Sequence, residues 1–255
     1  MNYTTYYSRG QKVFLINITP GRDDSIFEAF SATIVTCDNH HFELRPRYTL
    51  HHGAENPLKK GMQFKVTAES FGSGVQFSAE VSTVSNTGFS LKPTGPIEMY
   101  QRSQVPRLDM IVGFRSFTRS APLVVFQEEW QRLQEGLTSS KAAMLELIPN
   151  QINLGVGGLR SVSEQTGRHH DLSVVFIELV VGEPPVCAVA EQLWRRVLPD
   201  EEGVAIGHRF VLIRKDDQRR IQRHIEQLLK QQGRKLKKQK NNWELLDRMF
   251  CTSTL

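Results

Sequence analysis

Through the first hundred residues the apolar positions fall into short strand-like runs. Lys12 to Ile18, Ser31 to Cys37, His41 to Leu44, Gln63 to Ala68, Gly74 to Val84 and Gly88 to Leu91 are rich in Val, Ile, Phe and Thr. Turn signals such as Thr19-Pro20-Gly21 and Phe71-Gly72-Ser73-Gly74 separate them. Six runs at this spacing predict a small antiparallel barrel. The segment Lys92-Pro93-Thr94-Gly95-Pro96 interrupts the pattern and reads as the end of a domain over residues 1–98.

The second half opens with a predicted strand from Leu108 to Phe117. A helical stretch follows from Leu123 to Leu137, where Val124, Val125, Phe126, Trp130, Leu133 and Leu137 form one partly buried face. Further strands are predicted at Ala142 to Ile152, Leu159 to Val162, Leu172 to Leu179, Val186 to Arg195 and Val204 to Ile213. Asp216-Asp217 marks a helix start, and Ile221, Ile225, Leu228 and Leu229 make an amphipathic stripe behind it. The chain is therefore expected to be mainly β: a barrel over 1–98, a linker over 99–107, a second barrel over 108–213 and a basic C-terminal helix over 214–255. No internal repeat is evident.

Composition changes this picture little. The chain has 255 residues, 39% of them hydrophobic and 23% charged, ordinary figures for a globular protein. Charge is more informative because it is uneven. Residues 1 to 100 carry nine basic and nine acidic side chains, and residues 101 to 213 carry eleven and thirteen. Residues 214 to 255 carry twelve and five. The net charge of +5 thus comes from the C-terminal segment around Arg234, Lys235, Lys237, Lys238 and Lys240. A nucleic-acid-binding body is not indicated, and the basic run reads first as a solvated helix face. Cys37, Cys187 and Cys251 lie far apart with no CxxC pair, which points to buried or incidental thiols in a reducing compartment. The first nine residues have no apolar core of a signal peptide, and no apolar run reaches the length of a membrane span. A soluble cytoplasmic protein is expected.

Two short segments carry candidate chemistry. Residues 101 to 107 read Gln-Arg-Ser-Gln-Val-Pro-Arg, and residues 153 to 160 read Asn-Leu-Gly-Val-Gly-Gly-Leu-Arg. Guanidinium forks facing a turn open to close backbone approach suit an anionic, base-bearing small molecule. The glycine turn is not a dinucleotide fingerprint, since the third glycine position of GxGxxG falls on Arg160. No P-loop, nucleophile elbow or other catalytic constellation is present. The doublets His40-His41, His51-His52 and His169-His170 lack cysteine or acidic partners at ligand spacing, so no metal or other cofactor is expected.

The linker arginines, the Asn-x-Gly-x-x-Gly turn, the Gly207-His208-Arg209-Phe210 strand and the Ile221 helix together resemble the PilZ family of bacterial cyclic di-GMP receptors. The barrel before them is similar to the companion domain of flagellar-brake proteins. That family's motifs are Arg-Arg-x-x-x-Arg and Asp/Asn-x-Ser-x-x-Gly. Here Arg102 takes the first arginine, Ser103 replaces the second and Arg107 takes the third. Asn153 takes the acid-or-amide position, Gly155 replaces the serine, Gly158 is the final glycine and Arg160 lies just beyond. The resemblance implies a non-enzymatic receptor in which these seven residues hold cyclic di-GMP. It also implies a signal to a protein partner of the motility, attachment or exopolysaccharide machinery. A ligand-independent interaction module with a decayed site is the alternative, and the two departures at 103 and 155 motivate it.

Overall fold

Thirteen strands and two long helices make up the described part of the computed structural model, which comprises residues 2–51, 56–70, 73–101, 106–137, 146–163, 171–198 and 203–234. The chain divides into two compact units. One takes the N-terminal stretch to Asp24 with Glu28–Gln104, and the other takes Ser25–Phe27 with Val105–Lys237.

In the first unit β1 (Lys12–Asn17), β2 (Ile26–Cys37), β3 (Phe42–Pro46), β4 (Gln63–Ser70), β5 (Ser73–Val84) and β6 (Phe89–Pro93) run in the order β1-β4-β5-β6-β3-β2. Strand β2 pairs back onto β1, so the sheet closes on itself. All six predicted runs are strands. A seventh, β7 (Glu98–Gln101), pairs with β5 just after the Lys92–Pro96 turn. The barrel interior holds an aromatic cluster that the periodicity did not announce. Tyr3, in a 3-10 turn before β1, and Tyr7, just after that turn, pack edge-on against Phe42 and Phe77 at 4.9 to 6.0 Å between ring centres. The buried Tyr7 hydroxyl lies 3.2 Å from the Val66 carbonyl and 3.0 Å from that of Val75, which meets the hydrogen-bonding need of a phenol in a core.

The second unit repeats the design. Strands β8 (Leu108–Thr118), β9 (Ile148–Gly155), β10 (Gly158–Ser163), β11 (Leu172–Glu178), β12 (Val186–Val197) and β13 (Val204–Arg214) run β13-β10-β9-β8-β11-β12, with β12 paired back to β13. The architecture is thus mainly β, with two barrels in tandem. Helix α1 (Leu123–Leu137) lies on β11 and β12 through Phe126 and Trp130, whose indole N–H donates to the Cys187 carbonyl at 2.8 Å. Helix α2 (Lys215–Gln231) sends Ile221, Ile225 and Leu229 into the barrel core beside Leu108, Leu154 and Phe210. Asp216 and Asp217 stand in its first turn, where the helix dipole favours negative charge. Cys37 and Cys187 are free thiols, and the Arg234–Lys240 run after Arg234, Cys251 and Trp243 lie outside the described residues, as do His169-His170 and residues 142–145 of the predicted Ala142–Ile152 strand.

A buried histidine is expected to make stability depend on pH. His208 on β13 is 4% exposed, its Nδ1 has no hydrogen-bond partner among the described residues, and burial pushes its pKa down to about 4 from the usual 6.5. Between those values the unfolded chain takes up a proton that the folded chain refuses. Stability should therefore be full above about pH 6.5 and fall as the pH drops toward 4, by up to about 3 kcal/mol. Asp217, whose pKa burial raises, works in the opposite direction. The difference between the parent and His208→Leu, followed by chemical denaturation across this range, isolates the histidine: the variant should lose the slope. A parent whose slope survives in His208→Leu contradicts this assignment.

Candidate functional site

Strand register, rather than sequence proximity, assembles the site. On β8, β9, β10, β13 and β12, residues Asp109, Asn153, Arg160, Gly207 and Trp194 stand opposite one another in one continuous row. Neighbouring side chains in such a row share one face of the sheet. Here that face points outward: Arg160, Asp109 and Trp194 are all well exposed. The Asn153 amide donates to Asp109 Oδ1 at 3.0 Å, and Arg160 reaches the same oxygen at 3.3 Å. One carboxylate thus aligns an amide and a guanidinium that both face solvent. An exposed ion pair of this kind contributes only about 0–1 kcal/mol.

Two residues along β9 and β10 lies a second row, Gly155, Gly158, Arg209 and Glu191. Its glycines are places where side chains are excluded. A Cβ on Gly158 would sit 2.1 Å from the His208 carbonyl oxygen, backbone that cannot step aside. A Cβ on Gly155 would sit 2.7 Å from Cγ of Arg107. The Arg107 stem therefore lies directly on the Gly155 turn, and the residue is exposed just before β8 begins. Gly155 and Gly157 do not take positive φ, so close approach, not a left-handed conformation, explains Gly155. The two-residue turn Val156-Gly157 is tied down by the Phe210 N–H, which donates to the Gly157 carbonyl at 3.0 Å.

Of the seven sequence-derived candidates, Arg107, Asn153, Gly155, Gly158 and Arg160 come together on this face. Arg102 and Ser103 lie outside the described residues. The fold adds two that the sequence reading missed, Asp109 and Trp194. Trp194 is 44% exposed, and its indole rests where a Gly207 side chain would be, with Nε1 only 2.2 Å from the would-be Cβ. Gly207 is thus a seat for the tryptophan ring beside Arg160. Trp194 reads as a core residue until the register is known.

The substitution of serine by glycine at 155 acquires a physical reading here. Gly155→Ser would supply a hydroxyl, but its Cβ would push Arg107 off the turn. The barrel should stay folded, while affinity for an anionic ligand held by Arg107 should fall about tenfold, the scale of one charge-assisted contact. Tighter binding by Gly155→Ser would show that the Arg107 stem has no need of that seat.

Among the described residues there is no cluster of three or more His, Cys, Asp or Glu side chains able to hold a metal ion, and no helix there is long and apolar enough to cross a membrane. Several solved structures resemble the chain, three of them as follows. The inhibitor of motility MotI/DgrA of Bacillus subtilis is 14% identical, over 89% of this chain and 100% of that one, at a TM-score of 0.37. MrkH of K. pneumonia in its apo state is 17% identical, over 87% and 89%, at 0.36. YcgR of Escherichia coli, solved in complex with c-di-GMP, is 14% identical, over 87% and 85%, at 0.31. No family model and no curated protein matches the sequence.

Proposed function

We propose that the chain is a receptor for cyclic di-GMP that binds the ligand on the outer face of the second barrel. Arg102, Arg107 and Arg160 take phosphates and the O6/N7 edge of guanine, which a guanidinium fork matches in two parallel hydrogen bonds. The Asn153 amide adds a donor from the barrel. Gly155 and Gly158 let the ligand and Arg107 approach the backbone, and a guanine stacks on the exposed ring of Trp194. Ser103 brings a hydroxyl where the family pattern has an arginine fork.

The observation that carries this reading is the row Asn153, Arg160, Gly207 and Trp194, with Arg107 seated on Gly155 beside it. It combines two cations, an amide and an exposed aromatic ring on one strip of surface. Binding would draw the linker carrying Arg102 and Ser103 toward the glycine turn and favour one arrangement of the two barrels over others. The resulting surface would signal to a protein partner, by the family resemblance one in motility, attachment or exopolysaccharide synthesis.

A specific observation favours the alternative of a ligand-independent module. Asp109 already engages both Asn153 and Arg160 and sets a negative charge where a phosphate would lie. Calorimetric titration of the full chain with cyclic di-GMP decides between the two. The receptor reading expects saturable heat that weakens by about tenfold or more in Trp194→Ala, the scale of one stacked base, and poorer binding of cyclic GMP–AMP. Absence of heat at ligand concentrations well above the protein's would establish the decayed-site module instead.

A further inference from the structure

The first barrel has a cleft of its own, independent of the face described above. It encloses about 320 Å³ between the chain from Arg45 to His51 and the β5–β6 turn at Ser85–Gly88, the low end of the range for small-molecule sites. The turn is pressed onto β3 because Gly88 has no side chain: a Cβ there would lie 2.4 Å from the Leu44 carbonyl oxygen. Buried Tyr48, Leu50, Leu58 and Phe89 supply apolar surface to the cleft.

The charged side chains that line it, among the described residues, are all basic. Arg45 and Arg47 both border the cleft, and among the described residues none that lines it is Asp or Glu. The Nδ1 of His51, also on the lining, is buried and lacks a hydrogen-bond partner among the described residues. A buried ring nitrogen without a partner is costly unless something else completes it. Asn86 and Thr87 offer further hydrogen-bonding groups from the opposite wall. Guanidinium groups above an aromatic and aliphatic floor match an anionic head on an apolar or planar body.

We propose that this cleft is a second binding site, for a small organic anion carrying phosphate or carboxylate groups, held by Arg45 and Arg47 and by His51 Nδ1. Occupancy would give the first barrel an input separate from the second.

The test is calorimetric titration of the full chain with two probes, pyrophosphate and citrate. At least one should bind saturably; pyrophosphate alone marks a phosphate site and citrate alone a carboxylate site. Arg45 is exposed, so Arg45→Ala should fold normally and weaken the bound probe by about tenfold or more, the scale of a lost charge-assisted contact. His51→Phe, which removes the ring nitrogens, should weaken it as well. Arg219→Ala, on the exposed side of α2 in the other unit, should leave it unchanged. Failure of both probes to bind overturns the proposal. So does binding that Arg45→Ala leaves intact, or binding that disappears in Arg219→Ala, since either puts the anion elsewhere.

Discussion

Arg107→Ala should weaken cyclic di-GMP binding by about ten- to a hundredfold while leaving the protein folded. The size follows from the loss of one charge-assisted or bidentate contact, about 1.5–3 kcal/mol. The persistence of the fold follows from position: Arg107 is exposed just before β8, and its removal opens no cavity in the core. The turn at Gly155 loses a covering group. Arg107→Lys separates charge from geometry. If the planar fork matters, lysine restores little of the affinity; if only charge is needed, it restores most. Ligand affinity untouched by Arg107→Ala would remove the linker from the site.

Gly158→Ala should be the most damaging single methyl group in the second barrel. Its Cβ would meet the His208 carbonyl oxygen at 2.1 Å and the Arg209 Cα at 3.0 Å. Both belong to the strand that pairs with β10, so relief requires the ladder itself to open. We expect a loss of about 3 kcal/mol, at the upper end for overpacking, together with loss of ligand binding as the row carrying Arg160 shifts. Gly157→Ala, at the neighbouring residue, is the control, with nothing within 4 Å of its would-be Cβ. It should change stability by no more than about 0.5 kcal/mol. Equal effects from the two substitutions, measured by urea denaturation, would mean that the close approach at 158 is not what the barrel depends on.

The strands were largely legible because each carries enough Val, Ile, Phe and Thr between turn residues to stand out locally. Helix α1 was legible over its full span, Leu123–Leu137, because its apolar face repeats at helical spacing. Strand β7 was not, since Glu98-Met99-Tyr100-Gln101 follows a Pro- and Gly-rich break and has no apolar pattern of its own; its partner β5 defines it. Tyr3 and Tyr7 escaped for a similar reason. Their burial comes from the barrel they enter, and two tyrosines in a polar run announce nothing alone. In the site, spacing along one hairpin was enough to bring Asn153, Gly155, Gly158 and Arg160 to notice. Asp109 and Trp194 come from strands more than thirty residues away, and only register puts them in the row. The meaning of Gly155 also needed the structure, because a missing hydroxyl and a seat for Arg107 look identical in a sequence.

The central claim is that cyclic di-GMP lies across the outer row of the second barrel. Nitrogen-15 NMR of the full chain with added ligand tests it most directly, with Trp194 assigned by its loss in Trp194→Phe. The account predicts that the Trp194 indole N–H and the backbone signals of Asn153, Gly155, Gly158 and Arg160 shift together and saturate with one ligand concentration dependence. Saturable binding that leaves those signals in place and moves signals of the first barrel instead would contradict it.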